Sequence, residues 1–129
     1  MWPTRRLVGR ATHREQLKMA AVSAGQSKVL LVSLGGTITM TSGAGPGIVP
    51  TLTGADLVRA VPALAEVAEI EAVSPFRLPG PSLTFAHLRE VARLLNERLA
   101  GDIAGAIVVQ GTDTIEETAF VLDCLVGGD

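Results

Sequence analysis

Tyrosine is absent from this 129-residue chain, and aromatic residues make up only 3% of it. A core must therefore be assembled from Val, Leu, Ile and Ala, a composition common where helices cover parallel strands on both faces. The single cysteine, Cys124, excludes an internal disulfide and fits a reducing, cytoplasmic compartment. Its place beside Leu122 and Leu125 in an apolar helical pattern predicts a small buried residue rather than a reactive thiol. No apolar run approaches the ~18 residues of a membrane span, and the N-terminal residues lack the apolar stretch of a secretory signal peptide. Lysine ends at Lys28.

The net charge of −2 gives no sign of a nucleic-acid or membrane-surface partner, but the charge is unevenly spread. Residues 1–28 hold six basic groups against Glu15, a net +5, which leaves the rest of the chain at −7. Residues 1–27 are read as a basic, disordered leader, with Met19 an alternative start. Residues 28–129 have the size and the hydrophobic content, 47% over the whole chain, of one globular domain.

Within that domain, Lys28 to Ser33 is a continuous apolar, β-branched run of the kind buried on both faces of a sheet. Gly35-Gly36 ends it. The Gly-, Pro-, Ser- and Thr-rich stretch 39–53 is long for a connection and is read as a lid-like loop. Thr53 is placed to cap a short helix with Asp56 in its first turn and Leu57, Val58 and Val61 on its apolar stripe; Pro62 closes it. Val67 to Val73 alternates as a half-exposed strand, and a Pro-rich turn leads to Thr84. From there Phe85, Leu88, Val91, Ala92, Leu95 and Leu99 recur at helical spacing, with His87 on the solvent side. Ala104 to Val109 reads as a second fully buried strand. Thr114 to Val126 reads as the last helix, with a capping-box spacing from Thr114 to Glu117 and with Glu116 and Glu117 suited to its first turn. His13, in the leader, carries no weight.

The order strand, helix, strand, helix, strand, helix predicts an α/β fold: a doubly wound, mostly parallel sheet with helices on both faces. In such a sheet, the turns after the strands gather at the carboxyl-end edge. Two of those turns bear threonine: Gly35-Gly36-Thr37-Ile38 and Gly111-Thr112-Asp113-Thr114. The glycines allow close backbone approach to a ligand and leave the Thr37 hydroxyl exposed, although a threonine there also suits a simple turn or cap. A hydroxyl nucleophile needs a base within reach. Thr112 is positioned to relay a proton, and Asp113 either binds a substrate ammonium group or caps the helix that follows. Hydrolysis of an amide and the binding of a phosphate or nucleotide by Gly35-Gly36-Thr37 both remain open at this point, although neither G-x-G-x-x-G nor G-x-x-x-x-G-K-S/T occurs.

Leu34-Gly35-Gly36-Thr37-Ile38 and Gln110-Gly111-Thr112-Asp113-Thr114-Ile115-Glu116-Glu117-Thr118-Ala119-Phe120 resemble the two motifs of the bacterial-type L-asparaginase/glutaminase family. The stretch from Leu57 to Leu64 resembles the helix after that family's lid, and the likeness runs from Lys28 to the end. It implies the N-terminal part of an asparaginase-like domain. It further implies Thr37 as the nucleophile toward the side-chain amide of L-asparagine, or L-glutamine in a glutaminase or amidotransferase subunit of the same fold. Thr112 and Asp113 would join it in catalysis, and Gly36, Ser82, Gly111, Thr112 and Asp113 would bind substrate. The resemblance implies no metal or organic cofactor, and a homo-oligomer for the full-length form. Departures from the family pattern are Leu34 in place of Thr, Thr39 in place of a small residue, and Gln110 in place of His. The supporting lid tyrosine and the downstream catalytic lysine have no counterpart, so this piece alone is expected to be inactive.

Overall fold

A computed structural model describes residues 25–42 and 48–127. Three parallel strands form its sheet in the order β4-β1-β5: β1 is Lys28–Ser33, β4 is Glu69–Val73 and β5 is Ile103–Val109. A small antiparallel ribbon, β2 (Met40–Ser42) with β3 (Ile48–Pro50), stands apart from it. Three α-helices, α1 (Gly54–Ala60), α2 (Phe85–Leu99) and α3 (Ile115–Leu125), and short 3₁₀ segments, the longest Pro62–Glu66, join the strands. The α/β reading holds. Among the described residues no helix is long and apolar enough to cross a membrane.

The central strand explains how the two faces are covered. Successive side chains of β1 point to opposite faces: Leu30 and Val32, with Leu34 just beyond, enter one cluster with Val91, Ala92 and Leu95 of α2, Ile103, and Leu122 of α3. Leu31 points the other way, toward α1, where only the missing side chain of Gly54 leaves room; a Cβ there would lie 3.0 Å from Leu31 Cδ2. In α2 the buried Leu88, Val91, Ala92 and Leu95 recur at helical spacing. Phe85, placed on that stripe by its spacing, is 60% exposed because it sits in the first turn, beyond the edge of the core.

The strand Ala104–Val109 is not buried throughout: among the described residues β5 pairs with β1 alone, its α2-facing side chains Ala106 and Val108 pack on the core, and Ile107 on the opposite face is 52% exposed. Cys124 is exposed, because α3 turns Thr118 and Leu122 inward, and a residue two positions beyond Leu122 projects about 200° away from it. His87 is half-buried: its Nδ1 accepts the Thr84 N–H at 3.0 Å while its ring leans on Phe76 at 4.7 Å, so it closes the N-terminus of α2. Part of the stretch 39–53 is the β2/β3 ribbon, with residues 43–47 outside the described chain. Most of the leader, residues 1–24, lies outside it as well.

Helix α1 begins in a capping box. The Thr53 hydroxyl accepts the Asp56 N–H at 3.2 Å, and Asp56 Oδ2 accepts the Thr53 N–H at 2.8 Å. The Thr53 backbone N–H, then the Thr53 hydroxyl, hold the Asp56 carboxyl below its usual range. The folded state therefore binds this proton less readily than the unfolded chain. The stabilisation is complete above the ordinary carboxylate pKa of about 4 and is lost as pH falls through the lowered folded value. Asp56→Asn is accordingly expected to flatten the acid limb of a stability-against-pH curve measured by urea unfolding. At neutral pH, Thr53→Ala is expected to lower the unfolding free energy by about 1 kcal/mol.

Candidate active site

The three strands run in parallel and end together, Val32 beside Val73 and Ser33 beside Val109, so the turns that follow emerge at one edge. Leu34, fully buried, fastens them: its N–H donates to Val109 O at 2.8 Å and its carbonyl accepts the Leu78 N–H at 2.9 Å. The turn after β1 is thereby tied to the turn after β5 on one side and to the connection after β4 on the other.

Gly35 and Gly36 then take φ of 109° and 91°, a region that disfavours side chains. Sterics demand glycine as strongly as torsion does. A Cβ on Gly36 would lie 2.1 Å from the Gly111 nitrogen, and one on Gly35 would lie 2.5 Å from the Leu78 carbonyl oxygen. The freedom expected to admit a ligand is used instead to let backbone touch backbone. Thr37–Thr39 follow as a single 3₁₀ turn. Buried Thr39 closes it, its N–H and hydroxyl both donating to the Gly36 carbonyl at 3.0 and 2.7 Å. The Thr39 carbonyl accepts the N–H groups of Thr51 and Leu52, so both ends of the β2/β3 ribbon are rooted at the first turn.

The second turn, Thr112–Thr114, is also 3₁₀ and runs into α3. Thr112 and Asp113 are exposed, as is Thr37. A Cβ on Gly111 would fall 3.3 Å from Gly36 Cα and 4.0 Å from the Thr37 nitrogen. The backbones bearing Thr37 and Thr112-Asp113 are thus adjacent. Asp113 is not the helix cap; that position is held by Thr114, whose hydroxyl makes no capping bond and is buried without a partner among the described residues. The capping box read from Thr114 to Glu117 is therefore not formed, because the Thr114 side chain turns toward the third turn; its Oγ1 lies 3.1 Å from where a Gly80 Cβ would be.

That third turn, Gly80–Ser82, is the part of the site that the motifs left faint. Gly80 fits against Asp113 and Thr114, and Ser82, exposed, follows two residues later. The signal available was a glycine held between Pro79 and Pro81, a rigid segment with one position free of a side chain. Thr37, Gly36, Ser82, Gly111, Thr112 and Asp113 all lie on these three converging turns. Among the described residues no three His, Cys, Asp or Glu side chains cluster as a metal site.

A family model described as asparaginase, N-terminal, matches residues 28–129. The chain is 40% identical over 100 residues to L-asparaginase 2-3 of Saccharomyces cerevisiae, an alignment covering 77% of this chain and 26% of the yeast protein. It is 31% identical over 112 residues to a glutaminase-asparaginase of Acinetobacter glutaminasificans, covering 81% and 33% of the two chains. Its fold resembles that of a probable cytoplasmic L-asparaginase from Campylobacter jejuni, with a TM-score of 0.72 at 25% identity over 81% of this chain and 32% of the other. The chain thus spans about a quarter to a third of the length of these relatives.

The interlock of glycines sets an expectation for stability. Gly36→Ala should cost about 3 kcal/mol or more, since backbone of both turns must move and the torsion is strained as well. Gly105→Ala in β5, where an added Cβ meets nothing within 4 Å, should be neutral or stabilising by up to about 1 kcal/mol. Urea unfolding of the two variants against the parent chain measures both.

Proposed function

Because the chain belongs to the asparaginase family, we propose that it carries the nucleophile-bearing part of an amidohydrolase that converts the side-chain amide of L-asparagine to L-aspartate and ammonia. The observation that carries this reading is the contact of Gly36 with Gly111, which sets the Thr37 turn beside the Thr112-Asp113 turn. In the proposed reaction, Thr37 Oγ1 attacks the amide carbon, and its proton passes to the departing nitrogen, which leaves as ammonia. Water then cleaves the resulting ester, releasing aspartate and restoring the hydroxyl. Backbone N–H groups of the glycine turns stabilise the charge that develops on the carbonyl oxygen. Asp113 pairs with the substrate's ammonium group, Thr112 relays the proton, and Ser82 approaches the substrate carboxylate from the third turn. The glutaminase-asparaginase relative supports L-glutamine, one methylene longer, as a second substrate, a distinction worth only ~1–3 kcal/mol in a pocket.

In this reading residues 28–129 are the N-terminal portion of the asparaginase domain, the stretch 39–53 acts as its lid, and the whole enzyme is a cytoplasmic homo-oligomer. This portion holds no lysine on any of the three turns. Its last lysine, Lys28, stands at the opposite end of β1, about 16 Å away along the strand, and is paired with Asp102. The 129-residue chain should therefore release no ammonia from L-asparagine above the blank in a coupled assay; sustained release would overturn the inactivity.

Binding is testable without turnover. In ¹H–¹⁵N spectra, L-aspartate should shift the amides of residues 35–37, 80–82 and 110–114, and Asp113→Ala should weaken its binding at least tenfold, about 1.4 kcal/mol. Shifts elsewhere, or equal binding by the variant, would remove the assignment.

A further inference from the structure

Gln110 follows the last residue of β5, is only 8% exposed, and has no role in the reaction above. Its Nε2 donates to the carbonyl of Gly111 at 3.2 Å, while its Oε1 is buried with no partner among the described residues. A leucine of similar size would fill this place without stranding an oxygen, so packing alone gives no reason for a carboxamide. What the amide supplies is one donor to one carbonyl.

That carbonyl belongs to the Gly111–Thr112 peptide. Its oxygen takes the Gln110 donor in a buried hydrogen bond and lies 3.7 Å from where a Cβ of buried Gly80 would be, so it faces inward. In a trans peptide the C=O and N–H point in opposite directions, and no cis peptide occurs among the described residues. Holding the oxygen inward turns the Thr112 N–H outward, to the side where Thr112 and Asp113 are exposed. As the first residue of its 3₁₀ turn, Thr112 has no acceptor for that N–H within the turn.

We infer that Gln110 is a positioning residue: by fixing the Gly111–Thr112 peptide it presents the Thr112 N–H to the crevice between the turns. It touches no substrate and acts through the peptide alone. The consequence for ligand affinity rests on the proposed function; the consequence for peptide orientation does not.

The test uses the ¹⁵N-labelled chain, Gln110→Leu and Gln110→Glu. Without ligand, the residual dipolar coupling of the Thr112 N–H should fall by more than half in Gln110→Leu while couplings in β1 and α2 are retained. In Gln110→Glu, the introduced carboxyl donates to the Gly111 carbonyl when protonated and repels it when ionised. Thr112 should then match the parent at low pH and depart from it in one step as pH rises, with no such step in the parent. This second variant decides the matter within a single protein if Gln110→Leu does not fold. An unchanged Thr112 coupling in Gln110→Leu, or a step in Gln110→Glu that is absent or spread over the whole molecule, would overturn the inference. With L-aspartate added, Gln110→Leu should bind at least fivefold more weakly than the parent. Parent chain that ignores aspartate while Thr112 responds as described would sink the asparaginase reading and leave the role of Gln110 standing; the reverse pattern would do the opposite.

Discussion

The site depends on the approach of Gly36 to Gly111 with no side chain between them. Two strands pair without interruption from Val29 beside Gly105 to Ser33 beside Val109, and at the point where each ends the chains remain in contact instead of diverging. Leu34 extends that pairing by one more hydrogen bond and passes the restraint on to the connection after β4. Three turns from distant parts of the sequence are thereby held as one rigid rim. Precision of this kind is what the proposed reaction between a hydroxyl and an amide requires, since a displacement of about 1 Å at the reacting atoms is enough to cost orders of magnitude in rate.

The two ends of the sheet are built for different tasks. At the amino end Lys28 pairs with Asp102, and at the middle of β4 Glu71 pairs with Arg98, so these charges are answered by neighbours. The pairs are exposed, so each adds little to stability in water. At the carboxyl end Thr37, Thr112 and Asp113 stand exposed, and Gln110 and Thr114 each carry a buried oxygen without a partner among the described residues. Polar groups left unanswered by the fold are costly, and they are concentrated where an open α/β sheet places its ligands.

The frame of this arrangement was legible in the chain itself. The apolar run before Gly35, the helical recurrence from Leu88 to Leu95, and Thr53 with Asp56 three residues on each act locally, and each formed where its pattern indicated. The family likeness, carried by the segments around Thr37 and Thr112, pointed to the asparaginases that the comparisons support. What escaped was tertiary. Whether Ala104–Val109 is central or marginal depends on which strands flank it, and the exposure of Cys124 depends on which side of α3 meets α2. Thr114 had the spacing of a cap, but its hydroxyl turned to the third turn instead. His87 had the look of a surface residue because a ring nitrogen that accepts a backbone N–H leaves no mark in a hydrophobicity pattern.

Along its outer margin the N–H and C=O groups of β5 meet no strand among the described residues, and Ile107 stands half-exposed beside them. Such a margin recruits any extended segment that can add to the ladder. An extended segment laid along that margin would answer its outer backbone groups and cover Ile107 in a single step.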